Sequence, residues 1–357
     1  KTKRADPALR VPALRVMAAL PMTQVKLTGG RSSVSGIKAC VFGGTGFLGK
    51  YVINRLGKVG SRIVVPYRGD EVDVRPLKLA ADLGMMRLLP TSIRSLEEIE
   101  EAVDGCNVVI NLLGRHVEST RWSFHDVNAT FPAVLAQVCA DQGVERLVHV
   151  SALGGDVDSP SAFSRSKALG EEAVRDTFPE ATILRPATIF GDEDKFLNRI
   201  AKLSQTMPFY PLVDAATTKQ QPVYMDDVAE AVVKAITDER AMGKTIELAG
   251  PKVYTNKEIV DYVYKVIKEE SNAVNLPRPV GYAFAYAMQQ LPNPWYSLDV
   301  LKRQSVDLVA KEGTLGFDEL GITKLTSIEE VAERYLVRFR KMSMFVDEAD
   351  EVVNAPN

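Results

Sequence analysis

The residues of this chain that could do chemistry gather in one stretch, SPSAFSRSKALGEEAV, residues 159–174. A strand-like run, RLVHVS (146–151), ends in Ser151 just before it. Lys167 follows the aromatic Phe163 by four residues, so on a helix the two side chains share one face. A strand-end hydroxyl, an aromatic and an ammonium in this order form the layout of a carbonyl-reducing site. Such a site gives a proton to the carbonyl oxygen as hydride arrives, and wants a tyrosine phenol, of pKa about 10, at the aromatic position. Phe163 has no proton to give. Positioned acid–base groups contribute about 10²–10⁴-fold, so this change alone removes most turnover. No shifted tyrosine replaces it, because none lies between Tyr67 and Tyr210. The hydroxyls of Ser164 and Ser166 are weak acids without a stronger partner.

A second motif binds rather than reacts. VFGGTGFLG (41–49) places Gly43, Gly46 and Gly49 in a G-x-x-G-x-x-G spacing, with Thr45, Phe47 and Leu48 between them. Gly43 permits a tight turn, Gly46 lets backbone approach a pyrophosphate, and Gly49 lets helix pack on strand; the helix N-terminus then faces the anion. The blander reading is a glycine-rich turn with no ligand. The next strand, RIVVPY (62–67), is followed by Arg68. A guanidinium there attracts the 2′-phosphate of NADP(H), whereas a carboxylate would read the bare ribose of NAD. Asp70 is the alternative ribose reader, with Arg68 then a solvated loop charge.

These motifs need a scaffold, and the apolar pattern supplies one. Strand-like runs at 37–42, 62–67, 86–90, 107–113, 146–151 and 181–186 alternate with helical stretches at 47–59, 95–103, 123–142 and 161–177. That alternation predicts an α/β fold, a Rossmann-type doubly wound parallel sheet covered on both faces, with a smaller C-terminal α/β region. After residue 190 the rhythm breaks. A helix over 223–236 is expected to enter through an acidic cap at Asp226 or Asp227. KTIELAG (244–250) reads as a strand, and 255–270 as a helix with a capping box of Thr255 and Glu258. The expected organisation is a basic arm over 1–35, a dinucleotide-binding domain over 36–250, a docking region over 251–344 and an acidic tail over 345–357.

Composition excludes several classes. The chain has 357 residues, 46% apolar and 25% charged, with net charge −2, so no strong field points to nucleic acid. Cys40, Cys106 and Cys139 are scattered and odd in number, as in a reducing compartment, and the separation of His116, His125 and His149 argues against a metal site. No apolar run reaches the roughly 18 residues of a membrane span. The first 31 residues carry seven bases against Asp6, as an organelle-targeting leader does, and the start at Lys1 reads as processing or trimming. The stretch 280–296 gathers Tyr282, Phe284, Tyr286, Trp295 and Tyr296 near Arg278, with Lys302, Arg303 and Lys311 beyond. It reads either as a core helix or as a face at a membrane interface or in a protein groove.

Taken in order, the glycine loop, Asn111 in INLLG, Asn128 in FHDVNAT, Ser151, the Lys167 motif, RPATIFG (185–191) and PVYMDDVAEA (222–231) resemble the extended and atypical short-chain dehydrogenase/reductases over residues 36–250. The phrases GRSSVSGIKACVFGGTGFLGKYVINRLGKVGS, PYRGDE, NVVINLLGR, RDTFPEATILRPATIFGDEDKFLN and KQQPVYMDDV are similar to the nucleotide-binding accessory subunits of mitochondrial respiratory complex I. The resemblance implies a degenerate catalytic set of Ser151, Phe163 and Lys167, in which Lys167 still holds the nicotinamide ribose. It also implies nucleotide contacts from Gly43, Thr45, Gly46, Phe47, Leu48, Gly49, Arg68, Asn111, Leu113, Gly114, Ser151, Lys167, Pro186 and Ile189. The implied cofactor is NADPH rather than NADH, held as a structural part. The implied partners are other complex I subunits of the peripheral arm near the membrane, with lipid headgroups as a further contact, on the matrix side of the inner membrane. An active NADP-dependent reductase or epimerase of a small carbonyl or nucleotide sugar is the competing reading, kept open by Ser151 and Lys167. A soluble dinucleotide sensor is a third.

Overall fold

The computed structural model describes residues 29–341 except 120, 208, 214–217, 291–295 and 312. Most of the basic arm, the acidic tail and Trp295 therefore lie outside the described residues.

Seven strands form one sheet: β1 Lys38–Phe42, β2 Arg62–Tyr67, β3 Met86–Pro90, β4 Val108–Asn111, β5 Arg146–Val150, β6 Thr182–Pro186 and β7 Thr245–Leu248. Their order is β7-β6-β5-β4-β1-β2-β3, and every pairing is parallel. The order reverses between β1 and β4, where Phe42 pairs with Asn111. In such a sheet the crevice for a ligand opens at the carboxyl ends of those two strands. Both faces are covered, which is why β1, β4 and β5 are apolar without alternation.

The helices are α1 Phe47–Lys58, α2 Leu96–Val103, α3 Phe131–Asp141, α4 Ala162–Thr177, α5 Leu197–Thr206, α6 Met225–Thr237, α7 Asn256–Ile267, α8 Arg278–Gln289, α9 Leu298–Gln304 and α10 Ile328–Leu336. On one face α1 and α6 pack against the sheet through Val52, Ile53, Val228 and Val232. On the other, α2 and α3 contribute Ile99, Val103, Phe131 and Leu135, together with the buried Cys40, Cys106 and Cys139. The helix expected over 123–142 is two pieces, a π-type turn Asp126–Thr130 and then α3. Pro132 sits in the first turn of α3, where its missing N–H is tolerated.

One expected cap is corrected. The residue before α6 is Tyr224, without a side-chain cap, and Asp226 and Asp227 lie in the first turn. Both carboxylates are used elsewhere: Asp226 accepts two 2.9 Å bonds from Arg55 on α1, and Asp227 accepts from the Thr326 N–H at 2.8 Å. The start of this predicted helix, Val223–Tyr224, instead pairs as a short strand with Ile189–Phe190. The Thr255–Glu258 capping box of α7 forms as expected.

Beyond β6 a second cluster joins Leu197, Ile200, Ile259, Val263, Tyr264, Tyr335 and Leu336. The chain after residue 250 also returns to the main sheet, where Phe317, Leu320 and Ile322 enter the α1–α6 core. The aromatic helix α8 divides its faces: Gly281 and Ala285 are buried, Gly281 against Val213, while Tyr282 and Tyr286 are 40% and 61% exposed. No helix among the described residues is long and apolar enough to cross a membrane, and no group of His, Cys, Asp and Glu there could hold a metal ion.

Candidate functional site: a dinucleotide crevice

The glycine loop caps the carboxyl end of β1. Gly43 has φ +82°, and a β-carbon there would stand 3.0 Å from the Leu112 carbonyl carbon on the β4 side of the crevice. A β-carbon on Gly49 would lie 2.4 Å from the Gly43 oxygen, so the helix seats on the loop only without one. The Gly46 N–H donates to the Gly43 oxygen at 3.0 Å, and Gly46 precedes α1 in extended conformation with no side-chain cap. The first N–H groups of α1 are therefore left for another acceptor. Thr45 is exposed and Phe47 half-buried, but Leu48 is buried in the sheet core, so only its backbone can meet a ligand.

Past β2, Arg68 is exposed and its guanidinium lies 5.8 Å from the centre of the Trp122 ring. Arg94 stacks on the same ring at 4.1 Å and donates to the Arg121 oxygen at 2.7 Å. Two guanidiniums thus flank one indole at this end of the crevice. Asp70, the alternative ribose reader, precedes the short helix Glu71–Val74. Sequence reading missed Arg94 and Trp122. The signal was present, since Arg94 sits in the loop after β3, next to the Arg68 loop after β2.

Asn111 and Leu113 shape the other wall. Asn111 Oδ1 accepts from the Leu113 N–H at 3.1 Å and Asn111 Nδ2 lies 3.1 Å from His149 Nδ1, so the Asn111 side chain is spent on the loop and strand around it. Gly114 follows so closely that a β-carbon would stand 3.2 Å from Lys167 Nζ. Pro186 ends β6 and is buried, its oxygen accepting from the Leu153 N–H at 2.8 Å; Ile189 is half-buried beyond it.

At the reactive end, α4 is capped by Ser161, and Asp299 of α9 accepts from Ser161 Oγ at 3.0 and 3.1 Å and from the Ala162 N–H at 2.6 Å. Lys167 is 3% exposed, and among the described residues its one hydrogen bond runs to the Val150 oxygen at 3.2 Å. Burial pushes its ammonium down to about 8, while the Glu171 carboxylate pulls the other way. Glu171 is itself held by Arg185 at 2.6 Å. Ser151 is buried, and its hydroxyl has no partner among the described residues. The Nε2 of His149 is likewise buried and unpaired, and burial beside Lys167 holds that imidazole at about 3, well below its ordinary range. Ser166, a possible substitute acid, donates to the Phe163 oxygen at 2.7 Å and accepts from Asn128 at 3.0 Å.

Phe163 is 3% exposed under a lid of three groups. The His116 ring lies 5.3 Å away, the Phe124 ring 6.0 Å away edge-on, and the Arg303 guanidinium of α9 stands 4.8 Å over its face. His116 and Arg303 were not assigned to the site from sequence. One lies in the loop after β4, the other 140 residues beyond Phe163.

The residues present fit a dinucleotide. A buried ammonium with one weak acceptor, a buried hydroxyl with none, uncapped helix N–H groups and a loop closed to β-carbons all await a polar ligand with phosphates and sugar hydroxyls.

Comparison with known proteins agrees with this geometry. Residues 39–249 match the NAD dependent epimerase/dehydratase family. A curated relative from Arabidopsis thaliana, "NADH dehydrogenase (ubiquinone) 1 alpha subcomplex subunit 9, mitochondrial", is 41% identical, covering 88% of this chain and 81% of that protein. The protein of the same name from Mus musculus is 40% identical over 90% of this chain and 86% of its own. The "NADH-ubiquinone oxidoreductase 40 kDa subunit, mitochondrial" of Neurospora crassa is 35% identical over 90% and 84%. Among solved structures, a dTDP-glucose 4,6-dehydratase from Streptomyces venezuelae with NAD and TYD bound superposes with TM-score 0.63 at 18% identity, covering 85% of this chain and 96% of that one. At that identity the likeness shows the fold.

Proposed function

The chain belongs to the NAD dependent epimerase/dehydratase family, and within it to the group of NADH dehydrogenase (ubiquinone) 1 alpha subcomplex subunit 9 proteins; from that premise we propose that it is a non-catalytic accessory subunit of mitochondrial complex I that holds NADPH as a structural cofactor. The observation that carries the reading is the split within α4: Lys167 is buried with donors to spare, while Phe163, one turn earlier, offers no hydroxyl and lies under Arg303. When bound, the nucleotide would supply a hydride donor. The residues around it are arranged to grip it. Lys167 and Ser151 hold ribose hydroxyls, the glycine loop holds the pyrophosphate, and Arg68, with Arg94 across Trp122, takes a 2′-phosphate. Those two guanidiniums favour NADPH over NADH.

A ligand that binds only the folded chain stabilises it by about 2.7 kcal/mol at 100 times its Kd. On this reading the nucleotide stiffens residues 36–250, while residues 251–344, with the exposed Tyr282 and Tyr286, meet other subunits of the peripheral arm and lipid headgroups on the matrix side of the inner membrane. An active reductase or epimerase of a small carbonyl or nucleotide sugar is the second reading, favoured by the intact Ser151 and Lys167. Size-exclusion of a mild-detergent mitochondrial extract separates the two. Co-migration of the chain with a very large assembly is expected; a free monomer or dimer carrying ketone-dependent NADPH oxidation overturns the proposal.

A further inference from the structure

Resting on the nucleotide reading above, we propose that Arg303 makes the crevice selective for the reduced, uncharged nicotinamide over the oxidised, positively charged one. The two forms differ at the ring by one unit of positive charge, so the field at that end of the crevice decides between them.

The field there is cationic. Arg303 stands 4.8 Å over the Phe163 ring, at the end of the site where a hydride would be exchanged. Its Nη1 also approaches His116 Nδ1 at 3.5 Å. Desolvation and then the charges of Arg303, Lys167, Lys195 and Arg199 press the His116 pKa downward, although His116 is exposed and water screens part of that charge. Lys167 adds a charge that water cannot screen.

The nearby carboxylates offset part of this charge, Asp299 acting on Arg303 and Glu171 on Lys167, but each spends its oxygens on other donors. Asp299 is bonded to Ser161 Oγ and the Ala162 N–H, and Glu171 to Arg185. Neither forms an ion pair with Arg303 or Lys167 within 4 Å among the described residues. In a desolvated site such charges interact far more strongly than in water.

Arg303 comes from α9, which Asp299 fastens to the start of α4. The C-terminal region therefore both covers Phe163 and sets the charge over it. The oxidised form, with one more positive charge on its ring, would meet the Arg303 charge at this end of the crevice and be held less tightly. The site would then favour NADPH over NADP+ at equilibrium.

The test is equilibrium titration of the full-length chain with NADPH, read by its fluorescence, and with NADP+ by competition. It is made on the natural protein, Arg303→Gln and Arg303→Lys. The natural chain is expected to prefer NADPH by about tenfold or more, equal to about 1.4 kcal/mol. Arg303→Gln is expected to shrink that ratio severalfold, and Arg303→Lys, which keeps the charge, to retain most of it. A natural chain that binds both forms equally, or an Arg303→Gln variant with an unchanged ratio, overturns the inference and leaves the nucleotide reading standing. A chain that binds neither form overturns the nucleotide reading, and the inference with it.

Discussion

The two ends of the crevice differ in a way that separates holding from reacting. At the phosphate end the loop excludes β-carbons at Gly43 and Gly49, leaves helix N–H groups uncapped, and opens toward the exposed Arg68. At the reactive end the side chains are buried, and a helix from another part of the chain closes over them. The first end is built from local sequence and, on the proposed reading, remains a binding site. The second keeps the Lys167 ammonium and has Phe163 where the reductase pattern carries a tyrosine. On that reading binding and chemistry rest on separable residues, and one can be lost without the other.

The largest break in the comparison is expected from Gly49→Val. Its side chain drives into the Gly43 and Gly44 backbone, which cannot yield as a flexible side chain would, so overpacking costs about 1–3 kcal/mol or more. Nucleotide content after purification should fall to background, with a lower melting temperature.

Lys167→Met sharpens it next. Lysine's free pKa is about 10.4, against about 8 here, so holding the charged form in the fold costs on the order of 3 kcal/mol at neutral pH. Because the folded value is depressed, the unfolded chain binds the extra proton between roughly pH 8 and 10. Stability of the nucleotide-free protein should therefore rise across that window and stay flat, through this group, below it. Lys167→Met should melt higher than the natural chain without nucleotide, lose the pH dependence, and bind nucleotide much less tightly. Urea melts at several pH values, with and without NADPH, check all three.

Arg68→Ala tests the open end. Hydrogen bonds to a charged group are worth about 1.5–3 kcal/mol, so NADPH affinity should drop about tenfold or more while NADH affinity holds. Titration with both nucleotides measures the difference. The smallest effect is expected from Phe163→Tyr. It restores the phenol, but Arg303, His116 and Phe124 still cover the ring, so NADPH oxidation with a panel of ketones should stay at background.

What the sequence disclosed follows the same division. The seven sheet strands and the loop between β1 and α1 were legible because each is a short apolar run or a fixed glycine spacing. Phe163 and Lys167 were legible because four residues make one helical turn. Arg303 and His116 were not, since their meeting over Phe163 depends on how α9 docks, which only tertiary packing decides. Trp122 between Arg68 and Arg94 is hidden for the same reason, as it joins three loops. The acidic entry to α6 misled because an Asp in a first turn serves the helix dipole and partners such as Arg55 as readily as it serves a cap.

The most direct measurement is to denature the protein as purified from mitochondria and chromatograph what it releases. The account predicts close to one NADPH per chain, and none consumed when a panel of ketones is added beforehand. Protein that comes away empty, or NADPH that disappears with the ketones, contradicts it.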